Sequence, residues 1–202
     1  MNIATWLTVV SIVMLGAMSP GPSLAVVLRH TLNGGRRNGC AAAIAHGAGV
    51  GFYAFACISG LAFLITTSPG LFRAFQWAGA AYLAWLGIRG LLAKAPRQSE
   101  QPPAHASAAR DGFLIVFLNP KIAVFFIALF SQVIGPETGL LARIGYAATA
   151  WSIDTAWYLV VAWLFSSPRW LDKLKLHAIW FERLFGIILL ALAARLLLET
   201  LL

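Results

Sequence analysis

The sequence predicts an all-α integral membrane protein: six transmembrane helices forming a 3+3 inverted-topology repeat, with helices 1 and 4 broken by proline. Three observations carry this. Of the 202 residues, 60% are hydrophobic and 11% charged, against about 45–50% apolar and about 25% charged in a soluble domain. The apolar residues gather in runs of about 20 or more, the length a helix needs to cross a hydrocarbon core of about 30 Å, and the mean hydropathy is +0.79. Two of these runs hold prolines in their interior, in "SPGPSLAVV" at 19–27 and "LNPKIAVFF" at 118–126.

Span 1 is expected near 4–28. Its leading "MNIATWLTVV" has no basic segment, so "GAMSP" is not read as a signal-peptide cleavage site and the span is expected to stay in the mature protein. The turn residues "NGGRRNG" at 33–39 separate it from span 2, near 40–66. Gly47, Gly49 and Gly51 there either let helices approach closely or widen a cavity. "TTSPG" at 66–70 precedes span 3, near 72–93. A polar, proline-rich connection at 94–110 reads as a cytoplasmic loop or short surface helix. Span 4 is expected near 112–134, span 5 near 140–166 and span 6 near 179–199, with "IGPETG" and "SSPRW" as the turns between them. No soluble domain fits: the whole of 1–202 is one transmembrane domain, with repeat 1 at about 1–93 and repeat 2 at about 111–202.

The net charge of +8 does not point to nucleic acid, because the basic residues sit between apolar runs. They read as topology signals and contacts to anionic lipid at the cytoplasmic face. Eleven lie on one side of the membrane: Arg29, Arg36, Arg37, Arg89, Lys94, Arg97, Arg110, Arg169, Lys173, Lys175 and Arg183. Three (Arg73, Arg143, Arg195) lie on the other, and Lys121 falls within span 4. Positive loops stay inside, so both termini are expected in the periplasm. Trp6, Trp77, Trp170 and Trp180 suit an interfacial belt, although simple packing explains each equally well.

Two cysteines, Cys40 and Cys57, share one expected helix about 26 Å apart and cannot pair within a chain. The histidines (His30, His46, His105, His177) are scattered without ligands at metal spacing, so neither a metal nor any other cofactor is expected.

An offset of 98 residues sets "PSLAVV" (22–27) over "PKIAVF" (120–125), and also Gly47 over Gly145. The halves enter the membrane from opposite sides, as an inverted repeat requires. Proline breaks a helix by removing an N–H and clashing with the preceding turn. In hydrocarbon such a break survives only where protein or a wet cavity satisfies the freed groups. Proline also suits the first position of a new half-helix, with Ser or Asn before it as cap. Asn119–Pro120 and Ser19–Pro20 both have that form. Each half-helix N-terminus carries about half a positive charge, so Pro20, Gly21, Pro22 and Ser23, with Asn119, Pro120 and Lys121, form a candidate site for a carboxylate. Helix kinks for packing are the plainer explanation for one such proline, less so for two at matching positions. Hydropathy alone puts both breaks near the cytoplasmic edge; a later start to span 1, or an earlier one to span 4 within 104–112, would remove the conflict with a mirrored repeat.

Pro20-Gly21-Pro22, "HGAGVGFYAF" at 46–55, "WAGAAYLAWLGIRGLL" at 77–92 and "LNPK" at 118–121 resemble, in order and spacing, the LysE/RhtB family of bacterial amino-acid exporters. The resemblance implies a six-helix inner-membrane transporter, not an enzyme, that moves amino acids outward on the proton gradient. Asp154 sits mid-span, where a carboxylate is costly unless it pairs, protonates or lines water. Family members often carry an acid there, which makes it the candidate proton-coupling residue, with Lys121 as its natural partner. His46 is a second candidate, or else a packed or wetted histidine. Span 2 lacks the further acid typical of basic amino-acid exporters, so small neutral substrates such as threonine or homoserine are expected. The alternatives are an exporter of basic amino acids or a cation, a membrane thiol–disulfide carrier, and a structural membrane subunit. The expected partners are an amino acid, protons and anionic lipid, with a homodimer left open and no nucleic acid.

Overall fold

The computed structural model describes residues 3–92 and 107–201. The expected loop therefore lies outside them as far as 106, with Lys94, Arg97 and His105, as do the side chains of Arg169, Trp170, Lys173, Lys175 and His177. Among the described residues seven helices follow in order: α1 (Ile3–Met18), α2 (Pro22–Thr67), α3 (Pro69–Leu91), α4 (Ala108–Leu118), α5 (Pro120–Ser131), α6 (Leu140–Leu164) and α7 (Pro168–Leu201). Proline opens α2, α3 and α5 at the first turn, where a missing N–H costs nothing and the fixed φ suits a helix.

The turn expected at 33–39 is condensed into one residue. α2 runs through it with only Gly35 outside helical geometry, at φ 73° and ψ 178°. A side chain on Gly39 would strike Thr31, whereas these residues lie about 12 Å apart in a straight helix. The chain therefore doubles back into two arms, 22–34 and 36–67. Glycine is needed at 35 because its φ is positive.

Two further boundaries differ from expectation. The first break follows Met18, with 16 helical residues before it. The second falls at Asn119, between helices of 11 and 12 residues. Neither is near an end, since the Ser107 side chain caps α4 by accepting from Arg110 N at 3.2 Å and so starts it early. At the first break the helix restarts at Pro22 and not at Pro20. Each proline holds the residue before it extended, so Gly21 (φ 176°, ψ −170°) stays out of the helix. Ser19 is freed from capping.

α2 packs chiefly on α6 and α4, α3 on α7, and α1 on α6. The apolar interior forms two cores. One gathers Val9, Val50, Ile58, Leu83, Phe126 and Phe130. The other gathers Leu24, Val27, Ala43, Tyr158 and Val161. Between them lies a polar layer of buried Ser19, Ser23, His46, Asn119 and Asp154. Large apolar side chains meanwhile face outward, Phe52 at 64% exposure and Leu141 at 80%, the arrangement lipid favours and water does not. Pro22–Thr67 is long and apolar enough to cross a membrane, as are α4 and α5 taken together across their 58° bend. Trp77 and Trp180 are exposed, whereas Trp6 packs on Tyr146 with ring centroids 4.7 Å apart.

The ends of the bundle are distinct. Arg36 donates to Ser166 Oγ at 3.2 Å, joining the Gly35 turn to the end of α6. Gln76 donates to the Ser131 carbonyl at 3.2 Å at the opposite end, near the start of α3 and the end of α5. At the first end Arg29 and His30, read from sequence as a topology charge and a scattered histidine, are buried. Arg29 Nη2 donates to Asp111 Oδ2 at 2.6 Å, and His30 Nε2 lies 3.0 Å from the same oxygen. Asp111 sits in the first turn of α4, where the helix dipole also favours it. Removing one partner strands a buried charge, at about 3–5 kcal/mol. Asp111→Ala should therefore lower the unfolding midpoint of the detergent-purified protein clearly, with Asp111→Glu in between.

Candidate functional site

The two breaks face one another across a cavity of about 50 Å³. Asn119 bridges them: its Oδ1 caps α5 by accepting from Lys121 N at 3.1 Å, while its Nδ2 donates to Ser23 Oγ at 3.3 Å. Lys121 reaches back to the first break. Its ammonium donates to the Pro20 carbonyl at 3.1 Å and to Ser19 Oγ, and sits 4.6 Å from the centroid of Phe185. The carbonyl freed by Pro-Gly-Pro thus finds a cation, as a low-dielectric setting demands.

The other pole of the cavity is acidic. Asp154 on α6 meets His46 on α2, Oδ2 to Nδ1 at 2.7 Å. His46 is 1% exposed, and its Nε2 has no hydrogen-bond partner among the described residues. Tyr158, one turn beyond Asp154, packs edge-on to the His46 ring at 4.7 Å. Glycine makes this pairing possible. A Cβ at 47 would overlap the Thr155 hydroxyl and lie 3.2 Å from Thr155 Cα, so α2 and α6 approach to near backbone contact. Gly49 and Gly51 meet Val116 and Trp151 in the same way; these glycines serve close packing.

Gly21, Ser23, His46, Asn119, Lys121 and Asp154 all line this cavity. Pro20 and Pro22 line a larger neighbouring one. Pro120 lines neither and acts by starting α5. The expected Lys121–Asp154 pair is corrected: the Asp154 carboxylate bonds to His46, and the Lys121 ammonium turns to the first break. Sequence reading missed Ser19, Tyr158 and the apolar wall of Val50, Phe125, Phe126 and Phe185. Tyr158 had a signal, since i and i+4 share a helix face with Asp154. Among the described residues no three His, Cys, Asp or Glu side chains gather as metal ligands.

The cavity thus has a cationic pole of Lys121 and two half-helix N-termini, and an acidic pole at Asp154 and His46. It suits a small zwitterion. A volume of about 50 Å³ holds only a few water-sized groups.

The LysE type translocator family model matches residues 14–200, which include every polar residue of the site. The threonine efflux protein of Escherichia coli (strain K12) is 28% identical over 188 residues, 90% of this chain and 91% of that protein. That of Salmonella typhi is 28% identical over 186 residues, 89% and 90% of the two chains. An uncharacterized membrane protein of Vibrio cholerae is 31% identical over 139 residues, 67% and 68%. No solved structure matches.

Gly47→Val should push α2 from α6 and part His46 from Asp154. Overpacking of this kind costs about 1–3 kcal/mol, so both the unfolding midpoint and transport should fall, with Gly47→Ala milder because the Thr155 hydroxyl can rotate away.

Proposed function

The chain belongs to the LysE type translocator family, a translocator and not an enzyme, and we propose that it exports small neutral amino acids of the threonine or homoserine kind in exchange for protons. The observation that carries this reading is the two-pole cavity at the facing helix breaks. The relatives named for threonine efflux support the substrate class. The substrate carboxylate docks on Lys121 and the N-termini of α2 and α5. Its ammonium docks on Asp154, and its short side chain lies against Phe125 and Val50.

Proton exchange follows from charge counting at the His46–Asp154 pair. With a proton on the pair, its net charge is zero and nothing draws an ammonium. Without it, the pair carries one negative charge, complementary to the ammonium. Proton and substrate therefore occupy the same pole by turns, which is the requirement for antiport.

The proposed architecture is six spans in a 3+3 inverted repeat within the bacterial inner membrane, with both termini periplasmic. α2 and α5 open at Pro22 and Pro120, the sequence repeat offset, and α3 and α7 at Pro69 and Pro168. α2 with α6, and α3 with α7, are the corresponding elements of the halves, and both pairs pack together. The Gly35 turn and the end of α6, which meet through Arg36 and Ser166, fall on the side rich in basic residues. Anionic lipid there and a homodimer remain part of the proposal. A thiol–disulfide carrier is less supported, because Cys40 and Cys57 both lie on α2 beyond Gly35.

Efflux from preloaded proteoliposomes, with a panel of neutral and basic amino acids and with or without a pH gradient, tests the reading. Threonine or homoserine should leave faster than from empty vesicles, and lysine should not. Asp154→Asn should abolish the response to the gradient. Lys121→Met should raise the half-saturating concentration about tenfold, since a charge-assisted hydrogen bond is worth about 1.5–3 kcal/mol. Silence of both variants would support a structural subunit instead.

A further inference from the structure

A second chamber of about 520 Å³ adjoins the inner cavity and shares Ser19, Gly21, Lys121 and Phe185 with it. Those four residues form the wall between the two. On the far side the chamber is lined by Pro20, Pro22, Leu86, Arg89 and Leu189. Arg89 is in the last turn of α3, at the bundle end opposite the Gln76–Ser131 contact. It is exposed, and its guanidinium lies over the Trp85 ring, 4.9 Å from the centroid. An aromatic face takes a guanidinium without using its N–H donors, which remain able to hold a carboxylate with two hydrogen bonds.

We propose that this chamber is an entry site that receives the carboxylate of the amino acid on Arg89, and that the Lys121–Phe185 contact is the partition the substrate parts to reach the inner cavity. The proposal rests on the exporter reading for its direction: the chamber lies on the basic, cytoplasmic side from which an exporter loads. The partition is well placed to respond. Phe185 precedes Gly186, and a Cβ on Gly186 would lie 2.7 Å from the Gly87 carbonyl and 3.0 Å from Leu91 N. The backbone beneath Phe185 is thus pressed against the turn that carries Arg89. The incoming carboxylate also competes with the Phe185 face and the Pro20 carbonyl for the Lys121 ammonium. Transfer of the carboxylate from Arg89 to Lys121 therefore loosens the contact that closes the way.

Two measurements on the full chain test this. In proteoliposome efflux, Arg89→Gln should raise the half-saturating internal threonine concentration about fivefold to tenfold, more than it lowers the maximal rate, and Arg89→Lys should recover part of the loss. Phe185→Ala should let threonine pass without a pH gradient, at a rate well above that of the parent protein. Separately, threonine should change Trp85 emission, by difference from Trp85→Phe, in the parent and in Asp154→Asn but not in Arg89→Gln. Unchanged kinetics in Arg89→Gln, or a Trp85 signal lost with Asp154→Asn and kept with Arg89→Gln, would overturn the entry site. The emission measurement needs no transport. If it succeeds while no amino acid moves in vesicles, the exporter reading fails and the chamber stands as a binding site; if it fails while efflux is normal, only the chamber is lost.

Discussion

A broken helix inside an apolar body leaves backbone groups that must be satisfied locally, and here two broken helices satisfy one another. Lys121, at the start of α5, donates to the Pro20 carbonyl at the other break. Asn119 caps its own helix and reaches Ser23 at the start of α2. Each break thus takes part of its hydrogen bonding from the other, the protein-supplied satisfaction that irregular backbone needs in hydrocarbon. This mutual dependence fixes where polar side chains gather, and hence where the two apolar cores must part. The cavity lies where those polar side chains meet.

The same constraint sorts the buried charges. The molecule reverses the soluble pattern, with large apolar side chains outside and serine, histidine, asparagine and aspartate inside. Each interior charge has a partner of definite kind. Asp154 has His46, ring nitrogen to carboxylate oxygen. Arg29 has Asp111, a pair whose guanidinium stays charged at any physiological pH. The first pair lines the cavity and the second does not. A carboxylate–imidazole pair thus borders the cavity, while at the bundle end one carboxylate takes both Arg29 and His30.

Much of this was legible in the sequence wherever the rule depends on neighbours. Asn119–Pro120 reads as a helix start from two adjacent residues, and α5 begins there. Gly47, Gly49 and Gly51 read as glycines for close contact or for a wider cavity, and each meets a side chain of α4 or α6. The turn at 33–39 also read correctly as the end of one span and the start of the next, and Gly35 at positive φ reverses the chain there. What hydropathy could not give was the extent of the helices around the two breaks, because it measures only the apolarity of a window. It also counted Arg29 among the surface charges because its counter-ion lies far along the sequence. The misreading of Pro20 as a helix start has a similar origin: cap rules see one proline at a time, and a second two residues later holds the chain extended. Pairing across the bundle was beyond reach for the same reason. Lys121 and Asp154 share a cavity, yet which of several polar neighbours each one takes is decided by rotamer and approach, not by spacing.

The Arg29–Asp111 contact has a consequence for how the chain is made. The two residues are 82 positions apart, and they join the first arm of α2 to the opening turn of α4. Synthesis runs from the amino end, so when the first three helices have emerged Arg29 still lacks its carboxylate. A bare guanidinium resists burial in hydrocarbon, and until Asp111 arrives that arm is better held at the water interface than in its final seat. The first half is therefore electrically unfinished by itself. The parts of the chain before and after residue 107 are thus assembled as one piece.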